Sequence, residues 1–358
     1  MNKNALPYIV CPMCNSGRFA CEEFRSDEHQ ISEGRLICNG CGIWYRIENG
    51  IADLLMLSMR RDELYDIFAD KYGLKFDKAH GSRHGQKDVQ IDFFNESSTD
   101  YEEKITGSPY FIALDGLIFH DWVRRTLIEG QWILELGCGT GRQCEWVASR
   151  RIHTIGIDIS EEMLMVAQEK LRKKGLDQYV NFIVADAENP PIKNDTLAAC
   201  IIVGTLHHVN DPERTIVNGV KKVTAGGGFF SYDPHRSPVR FIFDFAMSVY
   251  KLYNEHANDH PLMTEKTLCT WLKKADIHSK IKISTFILPH FFYLFGESTN
   301  RKLLYYTDAV FGSIPLLRKF GGMIIAEGTK VTSNQNGISK YSGLAEPPTT
   351  GMVFTNRQ

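Results

Sequence analysis

The most regular hydrophobic pattern lies between residues 132 and 233, where short apolar runs alternate with amphipathic ones. Segments 132–136, 154–157, 181–185, 197–203 and 227–232 read as buried strands. A strand covered on both faces tolerates few charged positions, and Glu135 is the single charged residue in these five runs. Between them, 160–174 and 211–223 read as helices, and a third runs from the glycines after Leu136 to about Arg150. In the 160–174 helix, Met163, Leu164, Ala167 and Leu171 make one apolar face. Ser160 is placed to cap it, Glu161 and Glu162 complement its dipole, and Gly175 ends it. Further on, 264–275 reads as a helix capped by Thr264, and 280–287 and 323–330 as the last two strands. The alternation predicts an α/β fold: a Rossmann-like, doubly wound sheet, mostly parallel with its last strand antiparallel.

Outside that region the pattern changes. Residues 1–57 form a small β-rich unit, with strands at 35–38 and 43–47 punctuated by Gly40, Gly42 and Gly50. Residues 58–128 read as one connecting unit: a linker with loosely packed helices over 58–108, then a cap helix at 110–128. Phe111, Leu114, Ile118, Trp122 and Leu127 fall close to a 3.6-residue period there, with Ser108 and Pro109 at its start. The ligand-binding domain is then 129–331. Its inserts 234–262 and 288–321 carry Phe241, Phe243, Phe245, Tyr250, Tyr253, Phe291, Phe292, Tyr293 and Phe295, and are expected to form an aromatic lid. The polar tail 332–358 reads as disordered.

Composition narrows the classes. With 43% hydrophobic and 23% charged residues the chain is globular, and its net charge of −2 gives no global pull toward nucleic acid or an anionic membrane. No apolar run reaches the ~20 residues of a membrane span. The nine cysteines do not suggest a disulfide framework; four of them form two close pairs. That fits one metal site in a reducing, cytoplasmic compartment.

Cys11-Pro-Met-Cys14 and Cys38-Asn-Gly-Cys41 are two C-x-x-C knuckles separated by 23 residues. Together they supply four thiolates for a tetrahedral zinc ion. With no open coordination position, that ion is structural rather than catalytic. Cys21 is left over.

The second chemical signal is Glu135-Leu-Gly137-Cys-Gly139-Thr-Gly141, after a strand and before a helix. Such glycines let the backbone approach a ligand closely, and the helix that follows presents free N–H groups. A dinucleotide site would need G-x-G-x-x-G. Its third glycine would fall on Arg142 or Cys144, so both registers fail. Asp158 ends the next strand, placed to accept from ribose hydroxyls. Asp186 follows the third, placed to receive an adenine amino group.

The segments 133–141, 156–160 and 185–187, followed by Leu206-His-His-Val-Asn-Asp-Pro212, resemble class I methyltransferases, closest to the branch of ubiquinone/menaquinone-biosynthesis-type enzymes. The resemblance is strong over 130–233 and weaker over 264–331. It implies S-adenosylmethionine as cofactor. Glu135, Gly137, Gly139 and Gly141 would hold its methionine portion, and Asp158 its ribose. Ile159 and Met163 would flank the ring system, Asp186 and Ala187 would meet adenine, and Thr205 with Leu206 would line the pocket. The stretch 41–55 resembles the small zinc-ribbon activator subunits that pair with tRNA, rRNA and release-factor methyltransferases. It departs from them at Ala52, where they tend to have proline.

Methyl transfer needs a nucleophile in line with the sulfonium methyl, and a base only if that nucleophile arrives protonated. The candidates for such a base are His207 and His208 after the fourth strand, and Asp233 and His235 after the fifth. Val203-Gly-Thr-Leu-His lacks the Asn-Pro-Pro-Tyr-type pattern of base or amide N-methylation. The expected acceptor is a small or lipid-linked molecule, methylated on oxygen or carbon. The rival readings are an RNA methyltransferase that grips nucleic acid through the ribbon, and a non-catalytic scaffold that keeps the fold. For the first, Arg18, Arg25, Arg35 and Arg46 are offset by Glu22, Glu23, Asp27, Glu28 and Glu33; for the second, Glu135 and Asp158 are intact. A protein partner for the ribbon is a further expectation.

Overall fold

The computed structural model describes residues 1–76, 86–102, 107–239 and 263–332. The N-terminal ribbon holds four strands: β1 (Phe19–Ser26), β2 (Ile31–Cys38), β3 (Trp44–Glu48) and β4 (Ile51–Asp53). The first two form a long antiparallel hairpin, of which the sequence pattern revealed only the end of β2. Helix α1 (Asp62–Tyr72) packs Tyr65 and Phe68 against Trp44. Helix α2 (Gln86–Tyr101) follows. Next come α3 (Pro109–Leu114), a π-helical turn (Asp115–Phe119) and α4 (His120–Thr126), which together make the expected cap helix. Ser108 stands at its N-cap without a side-chain capping bond, and Pro109 occupies its first turn.

The strands of the main sheet are β5 (Trp132–Leu136), β6 (His153–Asp158), β7 (Val180–Val184), β8 (Leu197–Val203), β9 (Val223–Pro234), β10 (Ile277–Ser284) and β11 (Met323–Lys330). Between them lie α5 (Arg142–Ser149), α6 (Glu161–Lys173), α7 (Pro212–Lys221), α8 (Glu265–Lys274), α9 (Glu297–Ser313) and the short α10 (Pro315–Arg318). The expected caps form, Ser160 Oγ accepting from Met163 N–H and Thr264 Oγ1 from Thr267 N–H, and Asp211 likewise accepts from Arg214 N–H at the start of α7. Strands β5 to β9 are parallel, and β11 lies antiparallel between β9 and β10. The spatial order is β1-β2-β3-β4-β7-β6-β5-β8-β9-β11-β10.

That order changes the expected picture of an appended ribbon, because the ribbon extends the main sheet. Ala52 and Asp53 pair in parallel with Ile183 and Val184, and Leu54 N–H donates to Val184 O at 2.8 Å. Apolar residues of both parts share one core, from Ile9, Leu36, Tyr45 and Ile47 to Ile157 and Ile183. Arg46, 2% exposed, spans the junction. Its guanidinium meets Glu48 at 2.7 Å, Asp53 at 3.5 Å and Glu161 in the first turn of α6. Arg46 therefore holds the two parts together and is not part of a basic surface.

Two further expectations change. The loosely packed linker contains α2, which lies against α6. The insert 288–321 folds into a 3-10 turn (Pro289–Leu294), α9 and α10. Of its aromatics, Phe292 is core against Tyr110, while Phe291, Tyr293 and Phe295 are exposed. Lid residues Phe241, Phe243, Phe245, Tyr250 and Tyr253, and the tail from 333, lie outside the described residues. No helix among the described residues is long and apolar enough to cross a membrane.

Candidate active site and zinc centre

A cleft of about 670 Å³ opens at the carboxyl ends of β5, β6, β7 and β8. Ligand sites in open α/β sheets form at this edge. Gly137 and Gly139 line it from the β5–α5 loop, Asp158, Ile159 and Met163 from the β6–α6 connection, Asp186 and Ala187 from beyond β7, and Thr205 and His208 from beyond β8. The glycine turn is enforced by geometry. Gly137 has φ +69°, and a Cβ there would come within 2.2 Å of Thr205 Oγ1. Gly141 also has positive φ, but faces Ala167 of α6 and does not line the cleft.

The acids are held in different ways. Asp158 accepts from Gly139 N–H at 2.8 Å and Ser160 N–H at 3.0 Å. Burial pushes its carboxyl up, and those N–H donors oppose the shift. Asp186 accepts from Glu188 N–H at 3.0 Å and Asn189 Nδ2 at 3.1 Å. Glu135 sits below the cleft, 1% exposed and outside its lining. Burial raises its pKa to about 7, and Cys144 Sγ donates to it at 3.0 Å.

Six lining residues were not among the predicted site residues: Glu188, Gly204 and Val209 beside predicted ones, and Lys87, Gln90 and Phe94, all on α2. Lys87 Nζ bonds Asp186 and lies 3.2 Å from Glu188. Gln90 donates to the His208 carbonyl, and Phe94 meets the His208 ring edge-on at 5.2 Å. The only sequence signal was the Phe93-Phe94 pair, because α2 has almost no apolar stripe.

The four candidate bases do not form one group. His208 lines the cleft. His207 lies behind it, with Nδ1 2.7 Å from Asp233 Oδ1 and its ring 3.8 Å from that of His208. Asp233 is 1% exposed, and burial drives its pKa well up against the N–H donors of Leu206 and His207. The expected Asp233–His235 pair does not form. His235 Nδ1 bonds the Gly321 carbonyl at 2.9 Å, and His235 lines a separate cleft.

The four ribbon cysteines converge, their sulfurs all within 4.8 Å of one another. Cys11 and Cys41 are 3.6 Å apart, and Cys14 and Cys38 3.5 Å. A tetrahedron with Zn–S of about 2.3 Å has edges of about 3.8 Å, so the cage fits zinc. The Tyr45 hydroxyl, 3.2 Å from Cys11 Sγ, and Gly40 N–H, 3.3 Å from Cys38 Sγ, supply the outer hydrogen bonds.

Residues 133–228 match the family model described as a methyltransferase domain, and residues 5–50 that of the Trm112p-like proteins. The chain carries a class I methyltransferase domain. It is 25% identical over 173 residues to methyltransferase GfsG of Streptomyces halstedii, covering 45% of this chain and 61% of that protein. It is 26% identical over 157 residues to a ubiquinone biosynthesis O-methyltransferase of Hahella chejuensis, covering 43% and 65%. It is 27% identical over 168 residues to a demethylmenaquinone methyltransferase of Clavibacter sepedonicus, covering 42% and 67%. The matches thus span about two thirds of these relatives' length or slightly less. Among solved structures, an S-adenosylmethionine-dependent methyltransferase of Thermotoga maritima aligns at 20% identity and TM-score 0.44, covering 69% of this chain and all of that one.

Proposed function

We propose that this chain transfers a methyl group from S-adenosylmethionine to the oxygen or carbon of a small or lipid-linked acceptor. The observation that carries this reading is the convergence of Gly137, Gly139, Asp158 and Asp186 on one cleft, from three successive loops of a parallel sheet. Bound there, the cofactor supplies the electrophilic methyl group. The chain's own residues would bind, orient and exclude water. Asp158, held by two backbone N–H groups, accepts from the ribose. Gly137 and Gly139 let the amino-acid portion lie close to the backbone. Ile159 and Met163 flank the base, and Asp186 reaches its amino group. His208 is the candidate base facing the cleft, with the buried His207–Asp233 pair fixing its loop from behind.

The RNA reading finds less support. In the ribbon, Arg35 pairs with Glu22 at 2.7 Å, Lys3 with Glu23 at 2.9 Å and Arg25 with Glu33 at 3.5 Å, and Arg46 is buried. Such pairing leaves little positive field for phosphates.

Calorimetry with S-adenosylmethionine and, separately, a nicotinamide dinucleotide tests the cofactor. Binding of the first alone is expected, and Asp158→Ala should weaken it at least tenfold without changing Tm by more than a few degrees. Binding of the dinucleotide alone, or an unchanged affinity in the variant, would remove the basis of the reading.

A further inference from the structure

A second cleft, of about 950 Å³, lies farther along the same sheet edge, lined by residues following β9 and by parts of α8, β10 and α10. Its charge is one-sided. Among the described residues, Arg236, Lys266, Arg318 and Lys319 line it against a single carboxylate, Glu265, which pairs with Arg318. Arg236, Lys266 and Lys319 are exposed and have no ion pair among the described residues. Elsewhere on this chain, lysines and arginines are commonly paired with acids, Lys274 with Glu213 and Lys330 with Asp195 among them. Three cations without a described carboxylate partner at one concavity repel one another, so the arrangement suits an anion that bridges them.

Two independent features point the same way. The ten-residue helix α8 starts at the cleft, and its first-turn N–H groups add positive potential. His235 is 94% buried by its 6% exposure, yet it lines the cleft. Its Nδ1 faces a carbonyl, so Nδ1 carries the hydrogen, and Nε2 has no hydrogen-bond partner among the described residues. A phosphate oxygen can share a proton with that free nitrogen, since the second ionisation of a phosphate ester lies near neutrality.

We infer that this second cleft binds a phosphate group on the methyl acceptor. The inference rests on the methyltransferase reading and narrows its substrate class. Position connects the two clefts. Asp233 of β9 bonds His207, next to His208 in the cofactor cleft, and His235 lies only two residues on, about 7 Å along an extended chain. An acceptor anchored by its phosphate beside His235 would extend its nucleophile toward His208 and the methyl donor. Pro238, Ile283 and Pro315 give the same cleft an apolar wall for the body of such a molecule.

The test is calorimetric titration of the full zinc-loaded chain with pyrophosphate, in wild type and in the double variant Lys266→Gln/Lys319→Gln. S-adenosylmethionine is titrated into the same preparations, and Tm checks their folding. Both lysines are exposed, so Tm should not move. The expected result is pyrophosphate affinity at least tenfold weaker in the variant, with S-adenosylmethionine affinity unchanged. If S-adenosylmethionine binds normally while pyrophosphate fails to bind, or binds equally to both proteins, the phosphate site is refuted and the methyltransferase reading stands. If S-adenosylmethionine itself fails to bind wild type, the methyltransferase reading falls instead. A third titration uses a single-stranded RNA oligonucleotide. Lysine-dependent binding to it that is much tighter than to pyrophosphate would assign the cations to a nucleic-acid backbone and overturn the small phosphorylated acceptor.

Discussion

Replacing Arg46 by methionine isolates the electrostatic part of the junction between ribbon and catalytic sheet. Methionine keeps much of the apolar stem, so packing against Tyr65 is largely retained and the positive charge is lost. Three carboxylates then lose their shared partner: Asp53 at 4% side-chain exposure, Glu161 at 14% and Glu48 at 28%. Removing one member of a buried ion pair costs about 3–5 kcal/mol, because a charge is left without compensation. The ribbon shares its sheet and core with the catalytic part, so the chain should unfold as one unit. An unfolding entropy of roughly 2.1 cal/mol/K per residue over about 300 ordered residues converts that loss into a Tm drop of about 5–8 °C. The pH dependence has a definite sign. Burial already raises the Asp53 pKa despite the nearby Arg46, and removing the cation raises it further. An acid whose folded pKa is raised contributes stability below its unfolded value of about 3.9 and loses it as pH rises through the folded pKa. The deficit against wild type should therefore grow from pH 5 to pH 7.5. Scanning calorimetry at those two pH values, with zinc present, measures it. A drop below 1 °C, or a larger deficit at pH 5 than at pH 7.5, would refute the reasoning.

Stripping the metal should reach beyond the ribbon, since β4 covers the edge of β7 and the loop after β7 carries Asp186. A chelator strong enough to release one zinc per chain, counted with a metal-sensitive dye, should lower Tm and weaken S-adenosylmethionine binding; unchanged values after confirmed release would show that the thiolate cage is dispensable. Lys87 contacts the acid proposed to meet the adenine amino group, so Lys87→Met should tighten S-adenosylmethionine binding about three- to tenfold by calorimetry; weaker binding would mean that Lys87 belongs to the cofactor site as a ligand.

What could be read from the sequence follows the physics of each element. The parallel strands β5, β7 and β8 are apolar at most positions because both their faces are covered, and such a run is easy to see, whereas β6 shows only Ile155 and Ile157 around a glycine. The loop residues after them could be read for a different reason: a positive-φ glycine or a strand-end acid has few other uses. The cysteines needed only their spacing. By contrast, β4 is three residues long, and nothing in Ile51-Ala52-Asp53 says that it pairs with a strand some 130 residues away. Helix α2 could not be placed because its apolar residues fall all round it, Ile91 buried and Val89 exposed, and two of its three cleft contacts, Lys87 and Gln90, are polar side chains. Arg46 carries no local mark of burial; its three acidic partners come from positions 48, 53 and 161.

The unreadable pieces are also those that join the two halves. A ribbon with a free sheet edge would present unpaired N–H and C=O groups to another chain. In this molecule β4 spends that edge on β7, and Arg46 adds charge pairing to Glu161 at the start of the helix that follows Asp158. The two acids proposed to hold the cofactor thus lie on loops flanked by ribbon contacts, Asp158 just before α6 and Asp186 just after β7. A separate partner docking on the same edge would have to displace β4 and break the Arg46 cluster. The ribbon's first physical role is therefore within the chain: it completes the sheet on which the cofactor loops are mounted.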